Sequence, residues 1–218
     1  MARLVDRHGR PLNGQMPGLV EGIVVDNRDP GGLGRVRVKF PTLPGEPWSG
    51  WARLNMPMAG RDRGWMTIPE IGDEVLVSFM HGSIAHAVVV GSLYNGVDRP
   101  PYANEDGENN LRVFQSRSGH RVTFDDTSGA ERIEVVTHNE EIRVVWNSAE
   151  KILSVYCGGD IQIEAKEHID ISAESFSLSA EETVTIEAGE GIVLDSGSVT
   201  GVLGGSQVQI DAPDVLIN

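Results

Sequence analysis

Ser116, Ser118, His120, Asp125 and Asp126 supply, within a few residues of one another, a nucleophile, a base and two acids. A hydroxyl becomes a nucleophile only when an imidazole takes its proton and a carboxylate orients that imidazole, which requires geometry rather than spacing. Here the five residues span one turn and one alternating strand, and those two features account for them without catalysis. Two carboxylate pairs, Glu140-Glu141 and Glu181-Glu182, have the residue types of glycoside cleavage. Both sit beside strand-like stretches, where charged turns belong. Sugar-cleaving β-helices also present aromatic platforms, whereas Phe176 is the only aromatic residue after Cys157. Of the histidines His8, His81, His86, His120, His138 and His168, only His81 and His86 fall close enough together to suggest a shared ion, and a turn explains that pair better than zinc. Gly31-Gly32-Leu33-Gly34 lacks a following helix and adjoins Asp29, so it reads as a hairpin loop rather than a phosphate cradle. The expectation is no catalytic residue, no metal and no cofactor.

The C-terminal stretch carries a stronger pattern. From Leu153 to Asn218 the chain falls into rows of about eight residues with the rule large apolar, x, large apolar, x, small. The large positions are Leu153 and Val155, Ile161 and Ile163, Ile169 and Ile171, Phe176 and Leu178, Val184 and Ile186, Ile192 and Leu194, then Val202, Val208 and Ile210, with Val215, Leu216 and Ile217 in a truncated last row. Alternate residues of a strand share a face, so each row puts two bulky side chains and one small one on one side. Such a short period signals a solenoid or fibre. A single-chain β-helix needs coils of roughly 18 residues, built from three hexapeptide strands, to enclose a core. Shorter rows close more readily by symmetry, three copies each giving one wall of a triangular prism. The pattern therefore predicts an obligate homotrimer with those large residues as its core. A monomeric β-sandwich with regular strands is the alternative.

Charge divides the chain in the same way. The net charge of the 218 residues is −14. Residues 1–98 are balanced, the surplus of acid lies beyond them, and no Lys or Arg follows Lys166. A needle of that composition repels nucleic acid and anionic lipid. Cys157, the single cysteine, fills a small position of its row and has no partner for an intrachain disulfide. No apolar leader and no apolar run of membrane-spanning length occurs, which predicts cytoplasmic synthesis.

Taken in order, residues 1–18 read as an arm rich in Arg, Gly and Pro. Residues 19–95 hold five short strands: Leu19–Val25, Arg35–Phe40, Trp51–Met56, Glu74–Met80 and His86–Tyr94. That number in about 80 residues suits a Greek-key barrel of the OB type. OB barrels often bind single strands through basic grooves and stacked aromatics, and Arg35, Arg37, Lys39, Trp48 and Trp51 are the candidates. The neutral barrel and its acidic continuation argue against nucleic acid. Residues 96–110 form a linker, and ten of the 11 prolines lie at or before Pro101. Residues 111–152 give longer, less regular strands leading into the needle at 153–218. The fold class is all-β: an N-terminal OB-fold barrel followed by a C-terminal intertwined trimeric β-helix, or β-prism, needle.

Three strings resemble a known family. Gly34-Arg35-Val36-Arg37-Val38-Lys39-Phe40-Pro41, Ile71-Gly72-Asp73-Glu74-Val75-Leu76-Val77-Ser78-Phe79 and Val89-Val90-Gly91-Ser92-Leu93-Tyr94-Asn95-Gly96 resemble the OB domain of phage baseplate assembly protein V and of the valine–glycine repeat spikes of type VI secretion. Arg117-Ser118-Gly119-His120, Phe124-Asp125-Asp126 and Gly129-Ala130-Glu131-Arg132-Ile133 are similar to the segment that follows in that family. The resemblance implies a non-enzymatic trimeric central spike, part of the baseplate of a contractile tail or injection system, that plugs the hub and enters the target envelope on contraction with only transient membrane contact. It implies a hub protein as partner, which the arm 1–18 contacts, and a PAAR-type tip protein seated on Val215, Leu216 and Ile217. Some phage spikes end in a His-x-His pair that binds iron; no His follows His168, so no metal tip is expected. The larger hub-like domain of type VI spikes and a lysozyme domain are absent from this sequence, so the hub is expected as a separate polypeptide. A trimeric fibre or receptor-binding adaptor of the same particle is the alternative function, and a polysaccharide-degrading β-helix enzyme the third.

Overall fold

The computed structural model describes Met16 and residues 18–193. The chain divides into two compact units, Met1–Gln162 and Ile163–Asn218. No α-helix occurs among the described residues, and the regular structure is β apart from two single turns of 3-10 helix at Met80–Gly82 and Ile84–His86. No helix of the described residues is long and apolar enough to cross a membrane.

The first unit opens with a barrel. Strands β1 (Leu19–Asp26), β2 (Arg37–Lys39), β3 (Arg53–Leu54), β6 (Glu74–Phe79) and β7 (Ala87–Ser92) form one sheet in the order β2-β1-β6-β7-β3. A bridge between Val36 and Ala52 joins the two ends of that order, with reciprocal backbone hydrogen bonds of 3.0 and 2.7 Å. Closure removes the free edges. The alternation that marks these strands in the sequence points Val24, Val38, Val75, Val77 and Val89 inward with Phe40 and Phe79, whose rings meet at 5.6 Å. Met16 joins this core at 5% exposure and its N–H donates to the Gly82 carbonyl, so the barrel's packing begins inside the stretch the sequence assigns to an arm. Gly22 is required by close approach: a Cβ there would collide with the Val38 side chain and press on the Lys39 carbonyl oxygen at 3.0 Å.

Between β3 and β6 a small hairpin of β4 (Ala59–Gly60) and β5 (Arg63–Gly64) projects from the barrel. Pro57 through Thr67 are exposed without exception. No strand lies between Ser92 and Leu111. Asn95 ties the start of that connection, donating to Glu74 at 2.8 Å and accepting from the N–H groups of Val97 and Asp98.

A second five-stranded sheet follows, an antiparallel meander of β8 (Leu111–Gln115), β9 (Arg121–Asp125), β10 (Arg132–Val136), β11 (Ile142–Asn147) and β12 (Ile152–Cys157). Consecutive strands pair without a bulge, and each turn carries a left-handed residue: Gly119, Gly129, Glu140 and Lys151. The row Leu153–Cys157, which opens the repeat in the sequence, is thus the outer strand of this sheet. Cys157 is half-buried and free, its thiol facing the Asp160 carbonyl at 3.4 Å. In the second unit, residues 163–193 contain neither strand nor helix, and all of them are exposed.

Candidate functional site

The registers of the meander place its side chains in straight rows across five strands. One row reads Phe114, Val122, Val135, Val144, Val155, and the row two residues along each strand reads Arg112, Phe124, Ile133, Trp146, Leu153. Ile142 and Cys157 pair on the same side. Directly opposed residues share a face and so do alternate rows, so these two rows make an apolar surface broken by Arg112 and edged by Ser116, His120 and Thr137. Among the described residues it is left largely uncovered: Phe114 is 53% exposed, Val135 41%, Trp146 44%, and Leu153 and Val155 about 60%. At one end Phe114, Val122, Val135, Ile142 and Val144 line a shallow apolar hollow of about 300 Å³. Scattered surface apolar residues need no explanation, but a contiguous sheet face of this kind marks an interaction site.

The opposite face carries the charged pairs. Arg132 bridges the carboxylates of Asp125 at 3.1 Å and Glu134 at 2.8 Å, Arg121 pairs with Glu140 at 2.8 Å, and Arg143 lies 4.9 Å over the Tyr156 ring. The Thr127 hydroxyl, with the Arg132 charge assisting, holds the Asp125 carboxyl below the usual carboxylate range, and Arg121 does the same for Glu140.

The residues that suggested a triad are not assembled into one. Ser116 accepts a hydrogen bond from the His120 backbone N–H, and His120 Nδ1 accepts one from the His138 N–H at 3.3 Å. Asp125 lies at the far end of β9 with Thr127 and Arg132, and Asp126 binds Arg112. Among the described residues no group of three potential metal ligands comes together. In the barrel, the basic residues that suggested a strand-binding groove are also engaged: Arg35 with Asp29, Arg37 over the Trp48 ring at 5.3 Å, Lys39 with Glu46. Asp29 is nearly inaccessible, its side chain 3% exposed, and it organises the glycine loop by accepting from Gly31, Leu33 and the Arg35 guanidinium. The Arg35 guanidinium holds its carboxyl far below the usual range.

Of the predicted core positions, the sheet carries Leu153 and Val155. Ile161, Ile163, Ile169, Ile171, Phe176, Leu178, Val184, Ile186 and Ile192 are exposed, Ile171 at 70%. Leu194, Val202, Val208 and Ile210, with Val215, Leu216 and Ile217, lie outside the described residues.

Residues 20–94, the barrel, match the family of the type VI secretion system/phage-baseplate injector OB domain. The barrel is therefore similar to the OB domain shared by phage baseplate protein V and the type VI spikes. The chain is similar to the type VI secretion system spike protein VgrG3 of Vibrio cholerae, 32% identical over 109 residues, 46% of this chain and 11% of that protein. The match to the spike protein VgrG2a of Pseudomonas aeruginosa is 40% identical over 103 residues, 44% of this chain and 12% of the relative. The actin cross-linking toxin VgrG1 of V. cholerae is 26% identical over 144 residues, 55% of this chain and 13% of the toxin. The chain thus spans a small fraction of the length of these curated relatives.

The apolar residues contributed by β8 to β11 escape a reading strand by strand. Phe114, Phe124, Ile133, Val135 and Trp146 belong to segments that look less regular than the repeat, because the residues between the apolar ones vary, from Thr123 to Glu134 to the apolar Val145. The signal that finds them is two-dimensional: folding the sequence at its four turns aligns one apolar row across all five strands.

Proposed function

We propose that this chain is the central spike subunit of a contractile injection system, working as a homotrimer. Three copies of the apolar meander face close around one axis, and the rows from Ile161 onward continue that interior as a β-prism needle. In this reading residues 19–95 form a broad base that plugs the baseplate hub, 96–110 a linker, 111–152 a transition and 153–218 the shaft that pierces the envelope of the target cell. The designation of the relatives as type VI secretion spike proteins supports it.

The observation that carries the proposal is the uncovered row Phe114, Val122, Val135, Val144, Val155. Full burial of an aliphatic side chain is worth roughly 1.5–3 kcal/mol, so half-exposed residues across a whole face leave a large association energy unrealised in one chain. A second sheet packed at about 10 Å recovers it. The downstream rows, exposed in the same chain, need the same partners. A shaft locked by three chains at every row transmits axial load without local opening, and it does so by packing rather than by chemistry. A tip protein of the PAAR type on Val215, Leu216 and Ile217 and a hub at the barrel complete the proposed assembly, formed in the cytoplasm and delivered on contraction.

Light scattering on the purified chain tests the proposal. The trimer has three times the 23.6 kDa chain mass, about 71 kDa, and resists heat and SDS. A species of 23.6 kDa that keeps its far-ultraviolet β signal overturns it.

A further inference from the structure

The β4–β5 hairpin is an anomaly in the barrel. None of the eleven consecutive residues Pro57–Thr67 is buried, yet they include Met58 at 54% exposure, Trp65 at 52% and Met66 at 78%. Its ladder consists of two residue pairs, supplemented by the Trp65 N–H donating to the Met58 carbonyl at 2.9 Å. A short two-stranded hairpin is marginal in water by itself, and large apolar side chains at its end weaken its solubility without adding to its fold. Methionine and tryptophan are residues of binding surfaces. We infer that this hairpin is a docking arm that grips a second copy of the same chain, next to the copy's own linker.

Two observations choose that occupant. First, Trp65 meets Phe114 edge to face, with ring centroids 6.1 Å apart, and Phe114 begins the apolar row of the meander. The arm's apolar surface is therefore continuous with the sheet face, and a copy seated on that face also meets the arm. Second, the charges are complementary between copies. Arg61 and Arg63 lie at the tip of the arm, and Arg61 has only its exposed neighbour Asp62 at 3.8 Å. The linker carries Glu105, Asp106 and Glu108, all exposed. Among the described residues no ion pair joins either arginine to these carboxylates within one chain. In a cyclic assembly the contacts are head to tail, so the arm of each copy faces a different surface on the next. Arm and linker form such an unlike pair, which sets the rotation of the three barrels about the axis.

The inference rests on the trimer proposed above, and photo-crosslinking separates the two. A benzophenone side chain is placed at Met66 in one variant and at Val135, on the sheet face, in another. After irradiation of the full-length assembly and complete denaturation, both variants are expected to give bands at two and three times the chain mass, with the Met66 adducts mapping to residues 96–115 of a neighbouring chain. Interchain bands from Val135 but only intrachain adducts from Met66 overturn the arm and leave the trimer standing. The same holds if the Met66 adducts map elsewhere on the neighbour. A monomeric mass with no interchain band from either position overturns both.

Discussion

The barrel and the meander are built from the same alternation of apolar and polar residues, and they end in opposite states. In the barrel Val24, Val36, Val75 and Val77 are at most 1% exposed, whereas Val135 and Val155 of the meander stand at 41% and 57%. The difference is closure. Five strands that curl until Val36 meets Ala52 put their apolar residues inside a cylinder. Five strands joined by tight turns in simple sequence order make an open sheet, one face of which the described residues leave largely uncovered. Alternation thus fixes which residues share a side, while connectivity decides whether the chain supplies the cover.

The sharpest break in that comparison is a charge on the uncovered side. Val144→Asp and Ile171→Asp each place three carboxylates near one axis of the proposed trimer, where unpaired charges cost several kcal/mol apiece. The expected outcome is loss of the 71 kDa species with the barrel still folded, read by scattering and by near-ultraviolet signal from the barrel tryptophans. Asp170→Ser, beside Ile171 but paired only to exposed His168 at 3.3 Å, leaves the mass unchanged.

The converse break lies in the barrel. Gly22→Val overfills the space against Val38 and is expected to lower barrel stability by about 1–3 kcal/mol in urea unfolding, the usual cost of overpacking. The trimeric mass at low denaturant stays the same, because Gly22 is remote in sequence from the meander. A loss of assembly would show that barrel and meander are one cooperative structure.

The smallest effect sharpens the comparison through pH. The Asp29 side chain is nearly inaccessible beside the partly exposed Arg35, and its carboxyl is held far below the value of about 4 that it has in an unfolded chain. Below pH 4 the unfolded chain therefore binds a proton that the folded barrel refuses. Stability from this pair is complete above about pH 4 and declines as the pH falls toward the lowered folded value. The urea midpoint of barrel unfolding, followed between pH 2.5 and 6, is expected to fall more steeply with acid in the natural chain than in Asp29→Asn.

Much of this protein can be read from its residues directly. The five barrel strands follow from runs such as Arg35–Phe40, whose strict alternation admits one orientation, and the loop at Gly31–Gly34 follows from its glycines beside Asp29. The same local rules expose the Ser116, His120 and Asp125 set as strand and turn chemistry, since those residues serve separate hydrogen bonds at opposite ends of β9. The periodic rows after Leu153 are legible as a pattern, and their closure is what the proposed trimer would supply.

Sequence by itself determined the all-β character, the barrel strands and the residues that alternate toward one side, because strand pleating is local and needs no partner to be specified. Tertiary structure decided that Met16 belongs to the barrel core, that Leu153–Cys157 pairs as the last strand of a meander, and that Phe114, Val122, Val135, Val144 and Val155 stand in one row. Those facts depend on register between strands far apart in the chain, and register is fixed by turns and pairing, which no single strand contains.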